Sequence, residues 1–308
     1  MDGILNINKP PGRTSFSIVS MVRRLSGIKR VGHAGTLDPA ATGVLPVCLG
    51  QGTRITEFLM DDTKVYRAEI ELGITTDTYD GDGMITDRGD PSGIDRERFE
   101  SELPSFTGQI YQLPPMYSAV KHQGKPLYKW AREGVLIERK IRPATVHSIE
   151  LTDWQPPLAT VEIACGKGTY IRSLAHDLGQ TLECGAYIKN LVRTRCGIFD
   201  ITDSITTDQL EDAFGTGSWQ QYIYPIDSVL SDWTAIVVSD DVKKAIQNGR
   251  PISLDDEIVS ARYAPEQPVT EGSIAETRCR VYTLDGDFLA ILRFNPEKSQ
   301  WQPEKVFL

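Results

Sequence analysis

The sequence changes its apolar period abruptly between residues 158 and 182. Residues 158–165, LATVEIAC, alternate apolar and polar side chains as a half-buried strand does. After a short glycine turn, Leu174, Leu178 and Leu182 recur every four residues, as on the buried stripe of a helix. A strand followed directly by an amphipathic helix indicates a fold that combines both kinds of element.

The same two signals occur elsewhere in the chain. Residues 4–7 predict a short strand, and Thr14 or Ser15 then caps a helix that ends at Gly27. The further patterns are a strand at 64–73, an acidic amphipathic helix closed by Pro104, and short strand-like runs after residue 231 that indicate a small β-rich domain.

Charge is distributed unevenly along the 308 residues. The net charge of −9 argues against nucleic-acid binding if it is read as an average. Residues 1–60 nevertheless hold seven Lys and Arg against three Asp and Glu, and residues 111–200 hold twelve against eight. Because a polyanion responds to the local field, these two blocks can form one basic face on an acidic protein. Ordinary variation of surface charge is the alternative.

The five cysteines form no Cys-x-x-Cys pair, so we expect neither a disulfide framework nor a structural zinc site. Each cysteine should be a small buried side chain. The N-terminus lacks the basic start and apolar run of a secretory signal, and no apolar stretch is long enough to cross a bilayer. We therefore expect a cytoplasmic protein without membrane contact.

Residues 75–90, TTDTYDGDGMITDRGD, are acidic and rich in turn-forming residues. A calcium-binding loop does not fit them. With the glycine of that motif at Gly83, the first ligand position would be Thr78 and the last would be Gly89. We interpret this segment as a solvated loop.

Residues 111–134 interleave basic and aromatic side chains. The basic ones are Lys121, Lys125, Lys129 and Arg132, and the aromatic ones include Tyr117, Tyr128 and Trp130. Basic groups neutralise phosphates and rings offer stacking surfaces, so this is a candidate RNA-contacting insertion. In the alternative interpretation the rings belong to the core and the lysines are simply solvated.

HAGTLDPAATG, residues 33–43, contains the one carboxylate between Asp2 and Glu57. An aspartate that is held ionised acts as a nucleophile or a base, and a nearby arginine would favour its ionised form. Taken alone, an Asp-Pro in a loop is more often a turn residue or a helix cap. The motifs GxSxG and HExxH and a dinucleotide fingerprint are absent, and the four histidines have no metal-ligand spacing.

Several segments together resemble the TruB family of tRNA pseudouridine synthases. HAGTLDPAATGVLPVCLG is similar to the family's signature around its essential aspartate. The other similar segments are KPPGRTS at 9–15, KVYRAEIELGITTDTYDGDG at 64–83, PPMYSAVKHQGKPLYKWAREG at 114–134, KGTYIRSLAHDLG at 167–179 and GAYIKNLVRTRCGIF at 185–199. They occur in the family's order across about residues 3–200, which chance does not explain. After residue 231, a looser similarity to PUA-type RNA-binding domains rests on VSDDVKKAIQNGRPI.

The resemblance implies an α+β pseudouridine synthase fold, with a central mixed or antiparallel sheet flanked by helices. Residues 1–230 would form the catalytic domain, with a thumb-like insertion at about 110–142, and residues 231–308 would form a small PUA-like domain. The implied reaction isomerises a uridine in the TψC loop of tRNA. The enzyme flips the base out, breaks its glycosidic bond and rejoins it through carbon 5, without a metal or organic cofactor. We expect a monomer that needs tRNA and no protein partner.

Site residues follow from the resemblance by position. Asp38 matches the essential aspartate, Arg172 is expected to pair with it, and Tyr66 is expected to stack on the flipped uracil and assist proton transfer. The other expected substrate-binding residues are Tyr170, Leu191 and His33, the last near the displaced base. The expected RNA contacts are Lys9, Arg23, Lys64, Lys121, Lys125, Lys129 and Arg132.

Two other interpretations remain open. A guide-RNA-dependent pseudouridine synthase of the related archaeal and eukaryotic group shares the aspartate motif, but the insertion and the lack of long basic tails favour a stand-alone tRNA enzyme. An RNA-binding or RNA-folding protein that does not need the isomerisation is the alternative from another class. The sequence does not decide which atom of the nucleotide Asp38 reacts with first.

Overall fold

The computed structural model describes residues 1–253, 258–262 and 278–307, with only the backbone of 258–262. The chain divides into two compact units, residues 3–223 and residues 224–308. The sequence analysis placed the domain boundary after residue 230.

The first unit contains strands and helices in mixed order. Its strands are β1 (Gly3–Lys9), β2 (Val31–His33), β3 (Thr42–Leu49), β4 (Lys64–Leu72), β5 (Ile74–Thr76), β6 (Ile85–Arg88), β7 (Gly108–Gln112), β8 (Lys121–His122), β9 (Lys125–Pro126), β10 (Arg142–Gln155), β11 (Leu158–Cys165), β12 (Ala186–Cys196), β13 (Phe199–Asp200) and β14 (Ile205–Thr206), and β15 (Ile223–Tyr224) ends it. Its helices are α1 (Ser15–Ser26), α2 (Thr56–Asp61), α3 (Arg96–Glu102), α4 (Leu127–Arg132), α5 (Ile171–Thr181) and α6 (Thr207–Thr216).

A long sheet organises this unit, with the strand order β14-β1-β3-β12-β4-β11-β10-β7. The pairs β1–β14 and β3–β12 are parallel, and the other pairs along this path are antiparallel. The sheet is therefore mixed, which confirms the predicted α+β class. The central position of β4 and β12 brings Tyr66 and Leu191, which are far apart in sequence, to neighbouring strands.

The predicted helices pack on this sheet through the residues that the sequence indicated. Thr14 caps α1 by accepting a hydrogen bond from the Ser17 N–H at 3.0 Å, and Gly27 ends α1 in the left-handed region at φ 69°. Leu174 and Leu178 of α5, and Leu182 directly after it, are buried within the main hydrophobic core. All five cysteines are buried, as expected.

The acidic segment 75–90 differs from its prediction as a solvated loop. β5 and β6 form a hairpin in which Thr76 opposes Ile85. Between these strands, Thr78 and Asp80 are buried, at 9% and 8% exposure. The prediction was wrong for these two residues because composition cannot reveal that an acidic side chain is folded inward onto a buried cation.

The second unit is a small β-rich domain. Its elements are β16 (Ala235–Val238), α7 (Asp240–Gln247), β17 (Ile258–Arg262), β18 (Arg278–Tyr282), β19 (Phe288–Asn295) and β20 (Gln300–Val306). The strand order is β17-β16-β18-β19-β20, with β16 and β18 parallel. Val242 and Ile246 of α7 pack into a core with Val281 and Leu292. Among the described residues, no helix is long and apolar enough to cross a membrane.

Candidate active site

A cleft of about 280 Å³ opens in the first unit at the ends of several elements. Its wall contains the expected catalytic and substrate-binding residues Asp38, Tyr66, Tyr170, Arg172 and Leu191, and also Lys64 from the expected RNA contacts. The first five come from a loop after β2, from β4, from the start of α5 and from β12. The fold thus brings residues that span about half of the chain into one cavity.

The loop that carries Asp38 is fixed by bonds to the residues on both sides of it. The Ser15 hydroxyl donates to the Leu37 carbonyl at 3.1 Å and accepts from the Leu37 N–H at 2.9 Å. The Pro39 carbonyl accepts from Lys9 Nζ at 3.0 Å and from the Gly12 N–H at 2.9 Å. The start of α1 and the turn before it therefore set the position of the carboxylate.

Arg172 lies in the first turn of α5 and is 4% exposed. Its Nε lies 2.8 Å from Asp38 Oδ2, so the ion pair that the resemblance implied is present. Nη1 lies 3.1 Å from Asp80 Oδ2 and donates to the Thr78 carbonyl at 2.9 Å. Nη2 donates to the Tyr117 carbonyl at 2.8 Å. One guanidinium thus connects the aspartate loop, the acidic hairpin and the insertion.

The surroundings of Asp38 act on its carboxyl in opposite directions. Burial raises the pKa of Asp38, and the nearby Asp80 charge acts in the same direction. The Arg172 charge and hydrogen bond oppose this shift, as does the Lys9 charge. A carboxylate in this setting is more basic than a solvated one and is still held in one orientation, which suits a nucleophile or a base.

Tyr66 reaches the cleft from β4 and faces a second buried arginine. Burial raises the pKa of the Tyr66 phenol, so the hydroxyl keeps its proton, while the Arg193 charge opposes the shift. Arg193, on β12, is 1% exposed and also lines the cleft. Its Nε donates to the Val44 carbonyl at 2.7 Å and its Nη2 to the Gly35 carbonyl at 3.1 Å.

Arg193 and Asp80 are not among the site residues predicted from the sequence. Both lie in segments that carried the family resemblance, GAYIKNLVRTRCGIF and KVYRAEIELGITTDTYDGDG. Their location in these two segments was the one signal in the sequence that could have identified them as site residues. Neither composition nor periodicity distinguishes these two charges from solvated ones.

Tyr170 and Leu191 both line the cleft. The Tyr170 N–H donates to Gln112 Oε1 at 3.0 Å, and Gln112 Nε2 donates to the Tyr170 carbonyl at 3.1 Å. This reciprocal pair ties the base of the insertion to the residue before α5. Leu191 is 8% exposed and supplies an apolar surface.

His33 lies in β2 and is not part of the cleft wall. Its side chain is half-buried, and burial together with the Arg193 charge lowers its pKa. Its Nδ1 is buried without a hydrogen-bond partner among the described residues. The structure therefore places His33 outside the cleft wall, where the charge of the wall residue Arg193 acts on it.

Two of the expected RNA contacts are corrected by the structure. Lys9 is 0% exposed and its Nζ donates to the carbonyls of Pro10, Arg13 and Pro39 at 2.8–3.0 Å. Lys64 is 5% exposed and its Nζ donates to the carbonyls of Leu59, Met60 and Asp62 at 2.6–3.0 Å. Both ammonium groups bind backbone oxygens inside the protein, so neither is presented to a phosphate.

The other expected contacts lie on the surface or close to it. Arg23 is exposed, although its Nη2 donates to the Val31 carbonyl at 3.2 Å. In the insertion, Lys121, Lys129 and Arg132 are exposed. Lys125 is half-buried, forms an ion pair with Glu133 and lies 4.0 Å from the centroid of the Trp130 ring.

The insertion combines the two interpretations that the sequence left open. Its rings Tyr117, Tyr128 and Trp130 are half-buried, whereas three of its four selected cations face solvent.

Within the part of the chain that the structure describes, no group of three His, Cys, Asp or Glu side chains is arranged to hold a metal ion.

Comparison with known proteins identifies the family. The family model described as TruB family pseudouridylate synthase (N terminal domain) matches residues 23–171, and that of the tRNA pseudouridylate synthase B C-terminal domain matches residues 172–231. A relative from Dehalococcoides mccartyi named tRNA pseudouridine synthase B is 45% identical over 309 residues, covering 100% of this chain and 97% of the relative. A relative of the same name from Clostridium kluyveri is 45% identical over 292 residues, covering 94% of this chain and 95% of the relative.

A solved structure has the same fold over almost the whole chain. A chain in the crystal structure of a Cbf5-Nop10-Gar1 complex superposes with a TM-score of 0.74 at 26% identity, covering 99% of this chain and 85% of that one. The cleft is therefore set in a fold that is shared along the length of the sequence. The family models and the full-length relatives together establish that this chain belongs to the TruB family of pseudouridine synthases.

Proposed function

We propose that this protein isomerises a uridine in the TψC loop of tRNA to pseudouridine, with Asp38 as the catalytic carboxylate. The observation that carries the proposal is the contact of Asp38 with the buried Arg172, at 2.8 Å, inside a cleft that also holds Tyr66 and Tyr170. The full-length relatives named tRNA pseudouridine synthase B support the same substrate class.

The cleft suits a base that has left the RNA stack. Extruding a base costs a few kcal/mol, and stacking on an aromatic ring returns about 1–3 kcal/mol of that. Tyr66 and Tyr170 offer rings and Leu191 offers an apolar surface within a cavity of about 280 Å³. These side chains exclude water from a bound uracil and orient it beside Asp38.

The reaction is an isomerisation and consumes no second reactant. The bond between N1 of the uracil and C1′ of the ribose breaks, and a bond between C5 and C1′ forms. The proton that C5 loses is balanced by the proton that N1 gains. Asp38 must be ionised for either attack or proton abstraction, and Arg172 keeps it oriented. The Tyr66 hydroxyl, which keeps its proton, can take part in proton transfer at the ring.

The experiment is a tritium-release assay with Asp38→Asn and a tRNA labelled at C5 of its uridines. We expect the variant to lose at least about 10³-fold in rate, because the amide can act neither as nucleophile nor as base. It should bind tRNA with an affinity close to that of the unchanged protein. Release at an undiminished rate would remove Asp38 from the mechanism, and loss of binding would favour an RNA-binding role instead.

We further propose that the protein works alone, as a cytoplasmic monomer. The five buried cysteines, an odd number without a Cys-x-x-Cys pair, suit a reducing compartment. Activity of the purified chain on an isolated TψC stem-loop, together with its mass by light scattering, tests this proposal. A requirement for an added protein or a guide RNA would favour the guide-dependent interpretation.

A further inference from the structure

Tyr79 has a backbone conformation that a bulky residue seldom adopts. Its φ is +62°, in the left-handed region, and it lies between the two residues of the acidic hairpin that contact Arg172. The Thr78 carbonyl accepts from Arg172 Nη1 at 2.9 Å, and Asp80 Oδ2 lies 3.1 Å from the same nitrogen. An aromatic residue persists in such a conformation where its surroundings fix it.

The Tyr79 ring is fixed by a face-to-face stack on His176. The ring centroids are 3.9 Å apart and the planes differ by 13°. His176 follows Arg172 by one helical turn of α5, so the two side chains lie on the same face of that helix. The helix that presents Arg172 therefore also holds the residue that shapes the turn opposite it.

Hydrogen bonds transmit the position of Tyr79 to its neighbours. The Tyr79 carbonyl accepts from the Ile188 N–H at 3.0 Å, which ties the turn to β12. Asp80 Oδ1 accepts from the Thr78 hydroxyl and from the Asp82 N–H, which leaves Oδ2 directed at Arg172. A displaced turn would move the Thr78 carbonyl and the Asp80 carboxylate together.

We propose that Tyr79 and His176 are positioning residues, whose stack holds Asp80 against Arg172 and so keeps the guanidinium aligned on Asp38. The proposal rests on the function proposed above. Neither ring lines the cleft that is proposed to hold the flipped base. His176 Nδ1 is buried without a hydrogen-bond partner among the described residues. The contact of the imidazole with Tyr79 is a ring stack.

The test compares His176→Ala with His176→Phe under saturating tRNA. His176→Ala removes the stack, and we expect kcat to fall about ten-fold because the Arg172 contacts shift while the substrate contacts remain. KM and the affinity for tRNA should stay within about two-fold, since neither ring lines the cleft. His176→Phe restores a stacking face and should recover kcat.

The pH profile separates alignment from general packing. The charged groups facing Asp38 are Arg172, Asp80 and Lys9, and the Asp80 charge raises the pKa of Asp38. When the stack is lost, the Arg172 guanidinium also shifts away from Asp38, and its charge lowers the pKa of Asp38 more than the Asp80 charge raises it. That pKa therefore rises, and the acid limb of kcat should move to higher pH in His176→Ala. It should stay in place in His176→Phe. Both variants lack the imidazole, so its own titration cannot cause the difference.

A second pair of variants, at Tyr79, tests the same stack if His176→Ala fails to fold. Glycine adopts a positive φ without strain and has no ring. Tyr79→Gly should therefore show the same reduced kcat and the same shift of the acid limb as His176→Ala. Tyr79→Phe should match the unchanged protein. Equal rates and acid limbs for the ring-removing and ring-retaining variants would overturn the inference. An active Asp38→Asn would overturn the proposed function instead, and the two failures are therefore distinguishable.

Discussion

The cations of the cleft and the cations of the insertion differ in what their charges contact. The cleft set consists of Lys64, Arg172 and Arg193 of the cleft wall together with Lys9, whose charge acts on Asp38. These cations are at most 5% exposed, and each of them donates to backbone carbonyls. The insertion set, Lys121, Lys129 and Arg132, is exposed. A buried charge whose donors are occupied organises the protein, whereas an exposed charge is available to phosphates. The same residue types thus serve two separate tasks within one unit.

Arg172→Met would test the organising role most severely. It removes a guanidinium that binds Asp38, Asp80 and two carbonyls, and it leaves two carboxylates facing each other. Truncating one partner of a buried charge pair costs about 2–5 kcal/mol, and a comparable loss in the transition state would lower single-turnover rates at least about 30-fold. Arg172→Lys, which keeps the positive charge but not the planar set of N–H donors of the guanidinium, should recover only part of the rate. A fully active Arg172→Met would show that the cleft does not depend on this cation.

Lys64→Met would test whether a buried lysine acts on stability rather than on RNA binding. The variant keeps the apolar stem but leaves the carbonyls of Leu59, Met60 and Asp62 without their donor. An unsatisfied buried acceptor costs about 1–3 kcal/mol, and the free energy of unfolding in urea should fall by that amount. The salt dependence of tRNA binding should not change. A shallower salt dependence would instead assign Lys64 to the RNA interface.

These cations also mark the limit of what the sequence could predict. The strand at β4, the capped helix α1 and the leucine stripe of α5 follow from periodicity and turn chemistry, which are local. The contact of Asp38 with Arg172 came from the family resemblance, because 134 positions separate them and no local signal links them. The burial of Lys9, Lys64 and Asp80 depends on long-range packing, and a charged residue has the same appearance in sequence whether it is buried or exposed.

Asp80→Asn would sharpen the account of the cleft by removing one of the two carboxylates around Arg172. The Asp80 charge raises the pKa of Asp38, so its removal lowers that pKa. Activity requires ionised Asp38 and is lost as the pH falls through its pKa, so the acid limb should move to lower pH. The plateau rate should fall about ten-fold because Arg172 loses an anchor. An acid limb that moves to higher pH would contradict the assigned role of Asp80.

The smallest expected effect is at the exposed cations of the insertion. Each charge that meets a phosphate contributes about one to the slope of log affinity against log salt concentration, so Lys121→Ala with Lys129→Ala should reduce that slope by about two. The free energy of unfolding should be unchanged, since both side chains are exposed. Arg98→Ala, an exposed cation in the acidic helix α3, is the matched control and should leave the slope unchanged. If the control lowers the slope as much as the insertion variants do, the attraction between protein and tRNA depends on the net charge of the protein rather than on the insertion. If only the insertion variants lower it, the two sets of cations are separate in function as they are in burial.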